Sequence, residues 1–241
     1  MKNLIAFLTL IIFSGNLMAI EPPVNNQKVY AFSGLKLRVS PGLDTDVLTV
    51  IPYGDSVQLL EKTQIHERIE WMSGHWVKVQ YGDVSGYIFD GFISDLPVPK
   101  HGFEMTKTDL DLTYPLIAWS EYHFDELTDG DTINYEQSEI FHQHLENGHT
   151  LTRKDTPYSF RVTLTLEDTD LEEAYNLLRS LLKTEAERLT FDNKTIFVAD
   201  NDEYIDRISI KLDQPVLIKE LSDDSVSITV SDYQYGCDIR G

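Results

Sequence analysis

Five short β-rich runs, punctuated by turns, fill the stretch from Val29 to Phe89, and this spacing constrains the fold more than any other feature of the chain. The runs are Val29 to Phe32, Val47 to Ile51, Ser56 to Leu60, Trp76 to Tyr81 and Gly86 to Phe89. Between them stand Pro41-Gly42, Pro52-Tyr53-Gly54-Asp55 and Gly82-Asp83, where glycine permits positive φ and proline presets a turn's first residue. Five strands in about sixty residues predict a small barrel. Side chains alternate along a strand, so Val77 and Val79 are expected in its core while Trp76, on the opposite face, is expected to be partly exposed.

After residue 97 the pattern changes. Pro97 and Pro99 mark a semi-rigid linker over residues 98–104. Tyr158, Phe160, Val162, Leu164 and Leu166 alternate with polar residues, as do Ile208, Ile210 and Leu212, and Val226, Ile228 and Val230, which predicts antiparallel strands with one buried and one wet face. Thr169 and Glu172 have the spacing of a capping box. Leu171, Ala174, Tyr175, Leu178, Leu181, Leu182 and Leu189 then form an apolar stripe at helical spacing. The expected fold is therefore mainly β and α+β: a barrel over residues 28–97, then an antiparallel sheet domain over 105–241 with one long amphipathic helix.

Leu37-Arg38 followed by Pro41, with the closing hairpin Trp76-Val77-Lys78-Val79 and Gly86-Tyr87-Ile88, resembles a bacterial SH3-like domain. The resemblance implies a small barrel without chemistry of its own, which either binds peptidoglycan peptides or acts as a spacer beside another domain. The charged segment from Glu61 to Gly74 is a longer loop than usual, found in one subset of these domains. Trp71, Trp76 and Tyr87 are the candidate recognition aromatics; the alternative is that they cover the open ends of the barrel.

Met1-Lys2-Asn3, the apolar run Leu4 to Phe13, and Leu17-Met18-Ala19 have the layout of a secretory signal peptide over residues 1–19. About ten apolar residues span roughly 15 Å as a helix, half of a bilayer core, so no membrane anchor is expected after cleavage. A secreted or periplasmic protein is the expectation. Its single cysteine, Cys237, excludes an internal disulfide. The net charge of -20 sits mostly beyond residue 104: residues 28–97 carry six Lys/Arg against nine Asp/Glu, residues 105–241 twelve against twenty-nine. Such a field repels nucleic acid and anionic lipid. The expected partner is peptidoglycan or an envelope protein, and the chain is expected to be a monomer.

Catalytic signatures are few. Only four residues follow Cys237, too few to hold the histidine of a Cys-His endopeptidase, and Asp232 and Asp238 nearby disfavour a thiolate. His142 and His144 share a strand face at two-residue spacing, with His149 close by, which is the basis for an alternative reading as a zinc-dependent peptidoglycan hydrolase; His123, Glu136 and Glu139 are available to complete such a site. Asp125, Asp129 and Asp131 lack the alternation of an EF-hand. No phosphate loop, dinucleotide fingerprint or Gly-x-Ser-x-Gly occurs. The leading expectation is thus a non-enzymatic envelope-binding protein without a cofactor.

Overall fold

The computed structural model describes residues 26–69, 71–99, 110–127, 130–135, 138–201, 204–221 and 224–233. The expected signal peptide, most of the 98–104 linker, Asp129, Glu136 and Cys237 lie outside the described residues. No helix among them is long and apolar enough to cross a membrane.

Seven strands build the first sheet: β1 (Asn26–Val29), β2 (Leu35–Arg38), β3 (Val47–Ile51), β4 (Ser56–Ile69), β5 (Met72–Tyr81), β6 (Val84–Phe89) and β7 (Ile93–Ser94). They are antiparallel and ordered β3-β2-β6-β5-β4-β1-β7, curling into a half-barrel. Leu37, Ile51, Val57, Val77, Val79 and Ile88 close its core, with Val77 and Val79 facing inward as alternation requires. Gly86 lies where β6 passes under β2: a methyl group there would reach within 2.6 Å of the Arg38 carbonyl oxygen.

Most of the segment from Glu61 to Gly74, expected as a loop, is instead strand: residues 61–69 belong to β4 and residues 72–74 to β5. β4 runs on for 14 residues and pairs with β5 almost to the turn at Trp71. Register shifts at Leu59/Glu61 and Lys62/His66 bend this arm, and the Thr63 hydroxyl donates to the Trp76 carbonyl at 2.7 Å beside the second. The charged residues gave this strand no buried face to announce it; its tip is apolar because it reaches the second sheet.

That sheet has eight antiparallel strands: β8 (Asp131–Tyr135), β9 (Ser138–His144), β10 (Thr150–Thr156), β11 (Ser159–Glu167), β12 (Thr195–Asn201), β13 (Tyr204–Ile210), β14 (Val216–Glu220) and β15 (Ser225–Tyr233). Their order is β12-β13-β14-β15-β11-β10-β9-β8. Val162, Leu164, Leu166, Ile208, Ile210, Val226, Ile228 and Val230 point into one core, under three helices, α1 (Thr113–His123), α2 (Leu171–Ser180) and α3 (Glu185–Lys194).

The stripe expected as one long helix is divided between α2 and α3. Thr184 caps α3 with its own capping box, its hydroxyl accepting from the Glu187 N–H at 3.2 Å and its N–H donating to the Glu187 carboxylate at 2.7 Å. The break turns Leu189, the last residue of the stripe, out to solvent at 52% exposure. Arg179 and Asp192 then clamp the two helices together through paired 3.0–3.1 Å hydrogen bonds. The cap of α2 falls one residue later than expected, on Asp170 with Glu173: Asp170 has the extended backbone of an N-cap and its carboxylate accepts from the Glu173 N–H, while the Thr169 hydroxyl is turned to the Glu167 carbonyl. Replacing Thr184 with Ala is expected to cost about 1 kcal/mol in urea unfolding, the worth of one N-cap. An unchanged midpoint would mean that packing alone sets the break.

Candidate functional site

The two sheets meet along α2, and the half-barrel's outer face continues directly into the second core. Tyr30, Met72, Phe89 and Leu96 belong to the same buried cluster as Leu116, Leu177 and Ile208. Two hydrogen bonds cross this seam: Asn176 Nδ2 donates to the Gly91 carbonyl at 2.9 Å and Trp119 Nε1 to the Pro97 carbonyl at 2.9 Å, the same carbonyl that accepts from Tyr30 OH within the first unit at 3.0 Å.

At the tip of the β4–β5 arm, Trp71 is clasped by the second sheet. Its ring stacks on Phe197 at 4.3 Å between centroids and meets Tyr175 edge-on at 4.8 Å. Trp76 is only 2% exposed. Its expected exposure is corrected here for a physical reason: a free barrel would leave that face wet, whereas here Met72 and Phe89 on the same face already belong to the shared core. Trp76 sits edge-on to Phe89 at 6.5 Å. Trp71 and Trp76 line one interdomain cleft of about 550 Å³ together with Phe89, Phe92, Tyr175 and Phe197. Tyr87, half-buried on β6 beside Lys78, stands outside that lining. The structure therefore unites two of the three candidate aromatics and separates the third.

A second cleft, of about 470 Å³, opens where the first turn of α2 meets the arm. Six carboxylates line it: Asp168, Asp170, Glu172 and Glu173 from the second unit, Asp90 and Asp95 from the first. Lys62, His66 and His75 are the basic groups that face them. Lys62 pairs with Asp90 at 3.4 Å, His66 Nε2 shares a 2.8 Å hydrogen bond with the Ser73 hydroxyl, and the backbone N–H of His75 donates to Asp90 at 2.7 Å while its Nδ1 lies 3.9 Å from the same carboxylate. Burial, reinforced by the neighbouring charge of Asp170, holds both Glu172 and Glu173 at a pKa of about 7. Burial likewise raises Asp170 and Asp95. Chemically this cleft takes up protons near neutrality. The sequence marked only Glu172 among them, as part of a capping box, and did not show the cluster, because its closeness depends on the docking of α2.

The three histidines of the zinc reading are not brought together. His142 and His144 lie on the face of β9 opposite the buried Gln143 and Leu145, His142 sharing a 2.9 Å hydrogen bond with the Thr152 hydroxyl. His149 is buried against the core residue Phe124, at 4.5 Å between ring centroids, and its Nδ1 accepts from the Glu167 N–H at 3.1 Å. Burial lowers its pKa, which keeps the ring neutral. Among the described residues no three His, Cys, Asp or Glu side chains form a group that could hold a metal ion.

Comparison with known proteins agrees with the shape of the first sheet. Residues 33–94 match the family model of the bacterial SH3 domain, and the C-terminal part matches no family. No curated protein and no solved structure matches the chain.

Proposed function

We propose, on the premise that residues 33–94 are a bacterial SH3 domain, that this chain is a secreted, non-enzymatic binding protein of the cell envelope whose SH3 domain works as one body with the acidic unit behind it. Bacterial SH3 domains commonly contact cell-wall material, and the signal-like first 19 residues fit export. The single observation that carries the reading is the anchoring of Trp71 between Phe197 and Tyr175. A spacer on a flexible tether needs no such anchor; a module that presents a composite surface does.

Co-sedimentation of the full chain with purified peptidoglycan sacculi tests the wall-binding part. Retention with the sacculi is expected, and a chain that stays in the supernatant at low and moderate salt sinks it. Export is read separately, from the mature N-terminus in the envelope fraction. Mass spectrometry is expected to find it at Ile20.

A further inference from the structure

Charge sets the aromatic cleft apart from the rest of the molecule. In a chain of net charge -20, the described lining of this cleft carries three cations, Lys36, Arg38 and Arg179, against two acids, Glu185 and Asp192. Both acids already have partners. Asp192 is held by Arg179 and by the Tyr175 hydroxyl, and Glu185 accepts from Arg188 Nε at 3.2 Å. Arg179 is thereby neutralised, whereas among the described residues neither Lys36 nor Arg38 pairs with a carboxylate.

Arg38 is the sharper case. Only 8% of it is exposed, and arginines buried to that degree are almost always paired. Its Nη1 donates to the Thr45 carbonyl, and among the described residues nothing accepts from the remaining Nε–Nη2 edge. That edge is not sealed: it keeps contact with solvent, beside the cleft that Arg38 lines. Lys36 and Arg38 are two residues apart on β2, on the face opposite the core residues Leu35 and Leu37. They therefore stand about 7 Å from each other, within reach of one anion.

The Nε–Nη2 edge of a guanidinium is a fork that takes a carboxylate in two parallel hydrogen bonds, and a lysine ammonium beside it adds a second charge. Three cations less two acids leave one positive charge, which matches a single carboxylate better than a doubly charged phosphate. The rest of the cleft offers ring surface from Trp71, Phe89 and Phe197, and its volume of about 550 Å³ is that of a small-molecule site.

We propose that the cleft between the SH3 domain and α2 binds a monocarboxylate with an apolar, ring-sized body, the carboxylate held by Arg38 and Lys36. This goes beyond the envelope reading and does not depend on it, since sacculus binding can fail while the cleft still binds its ligand.

The probe is phenylacetate, titrated into the full chain at low salt. A proton-nitrogen spectrum follows the Arg38 Nε–H, assigned from Arg38→Lys, and the Trp71 indole N–H, assigned from Trp71→Phe. Both resonances are expected to move and saturate, with a Kd of about a millimolar, as suits a fragment of this size. Phenylacetamide keeps the ring and loses the charge, and acetate keeps the charge and loses the ring; each is expected to bind about tenfold more weakly. Lys36 is exposed, so its variants are expected to fold. Lys36→Gln is expected to weaken phenylacetate binding about fivefold and Lys36→Glu to abolish it, both leaving phenylacetamide unchanged. Unmoved resonances up to the solubility limit of phenylacetate overturn the site. Equal binding of phenylacetamide, or an unchanged Kd in Lys36→Glu, overturns the role of the charge. Equal binding of acetate overturns the apolar body, and tighter binding of inorganic phosphate overturns the carboxylate. Should Arg38→Lys fail to fold, the Trp71 resonance and the Lys36 variants still decide.

Discussion

Replacing Trp71 with Ala is expected to lower the stability of the whole chain by about 3 kcal/mol and to split one unfolding transition into two. Truncating a packed tryptophan costs about 3–5 kcal/mol, and the lower end applies because Trp71 is only partly buried. The lost contacts are specific: a stacked ring at 4.3 Å and an edge contact at 4.8 Å, both with residues of the second unit. Aromatic pairs of this kind contribute about 0.5–1.5 kcal/mol beyond area burial. Because the half-barrel and the second sheet share a buried cluster through Tyr30, Met72, Phe89 and Leu96, the intact chain is expected to unfold cooperatively. Without the anchor, the half-barrel retains its own core of Val77, Val79, Leu37 and Ile51 and can melt separately. Urea unfolding followed both by fluorescence and by far-ultraviolet circular dichroism checks this. A loss below about 1 kcal/mol with coincident transitions would show that the arm rests on the second sheet without holding it.

Stability is also expected to fall as pH rises from about 5 to 8, which reverses the usual behaviour of surface carboxylates. Glu172 and Glu173 ionise near 7 in the folded chain, against an ordinary value of 4.5. Between those two pH values the folded state holds protons that the unfolded state has released. Stability therefore decreases with pH across that window and levels off above it. Each group would be worth about 3 kcal/mol at full effect; both are half-buried and in contact with solvent, so about 2 kcal/mol for the pair is the expected change.

Asp170 and Asp95 add to this trend, since burial raises them too. His149 opposes it: its lowered pKa makes the folded state reluctant to take a proton, a penalty that appears as pH falls below about 6.5. The double variant Glu172→Gln and Glu173→Gln separates these contributions. Glutamine still accepts the capping hydrogen bond from the Asp170 N–H that Glu173 now accepts at 3.1 Å. In the variant, the excess stability at pH 5 over pH 8 is expected to shrink or reverse. A variant whose pH profile overlays that of the parent would remove the acidic cleft as the cause.

The most legible parts of the chain were those whose information is local. Alternation in Val77 and Val79 located the half-barrel core, and the alternating runs ending at Leu166, Leu212 and Val230 located three strands of the second sheet, although β13 stops at Ile210, short of Leu212. Strand β14 was missed, with only Val216 and Ile218 buried in five residues, as was β10, whose single fully buried residue is Leu151. Both pair on either side with neighbouring strands, so the sheet, not their own composition, holds them. The division of the expected helix was readable in Thr184 and Glu187, which have the same spacing as the pair that marked α2. The apolar stripe running across the break concealed it.

Fold class, charge and the identity of the SH3 domain were determined by the sequence alone, because turn residues, strand alternation and the closing hairpin act over a few residues. Tertiary structure decided what the aromatic residues are for. Trp71, Trp76 and Tyr87 looked equivalent along the chain, yet one is clasped by the second sheet, one is buried with an unpaired N–H, and one lies outside the cleft. Their difference comes from partners more than eighty residues away, such as Tyr175 and Phe197. The same holds for Glu172 and Glu173: two acids at a helix start become proton acceptors near neutrality because docking α2 against the arm strips part of their water and sets them beside Asp170, with Asp95 next to Glu173.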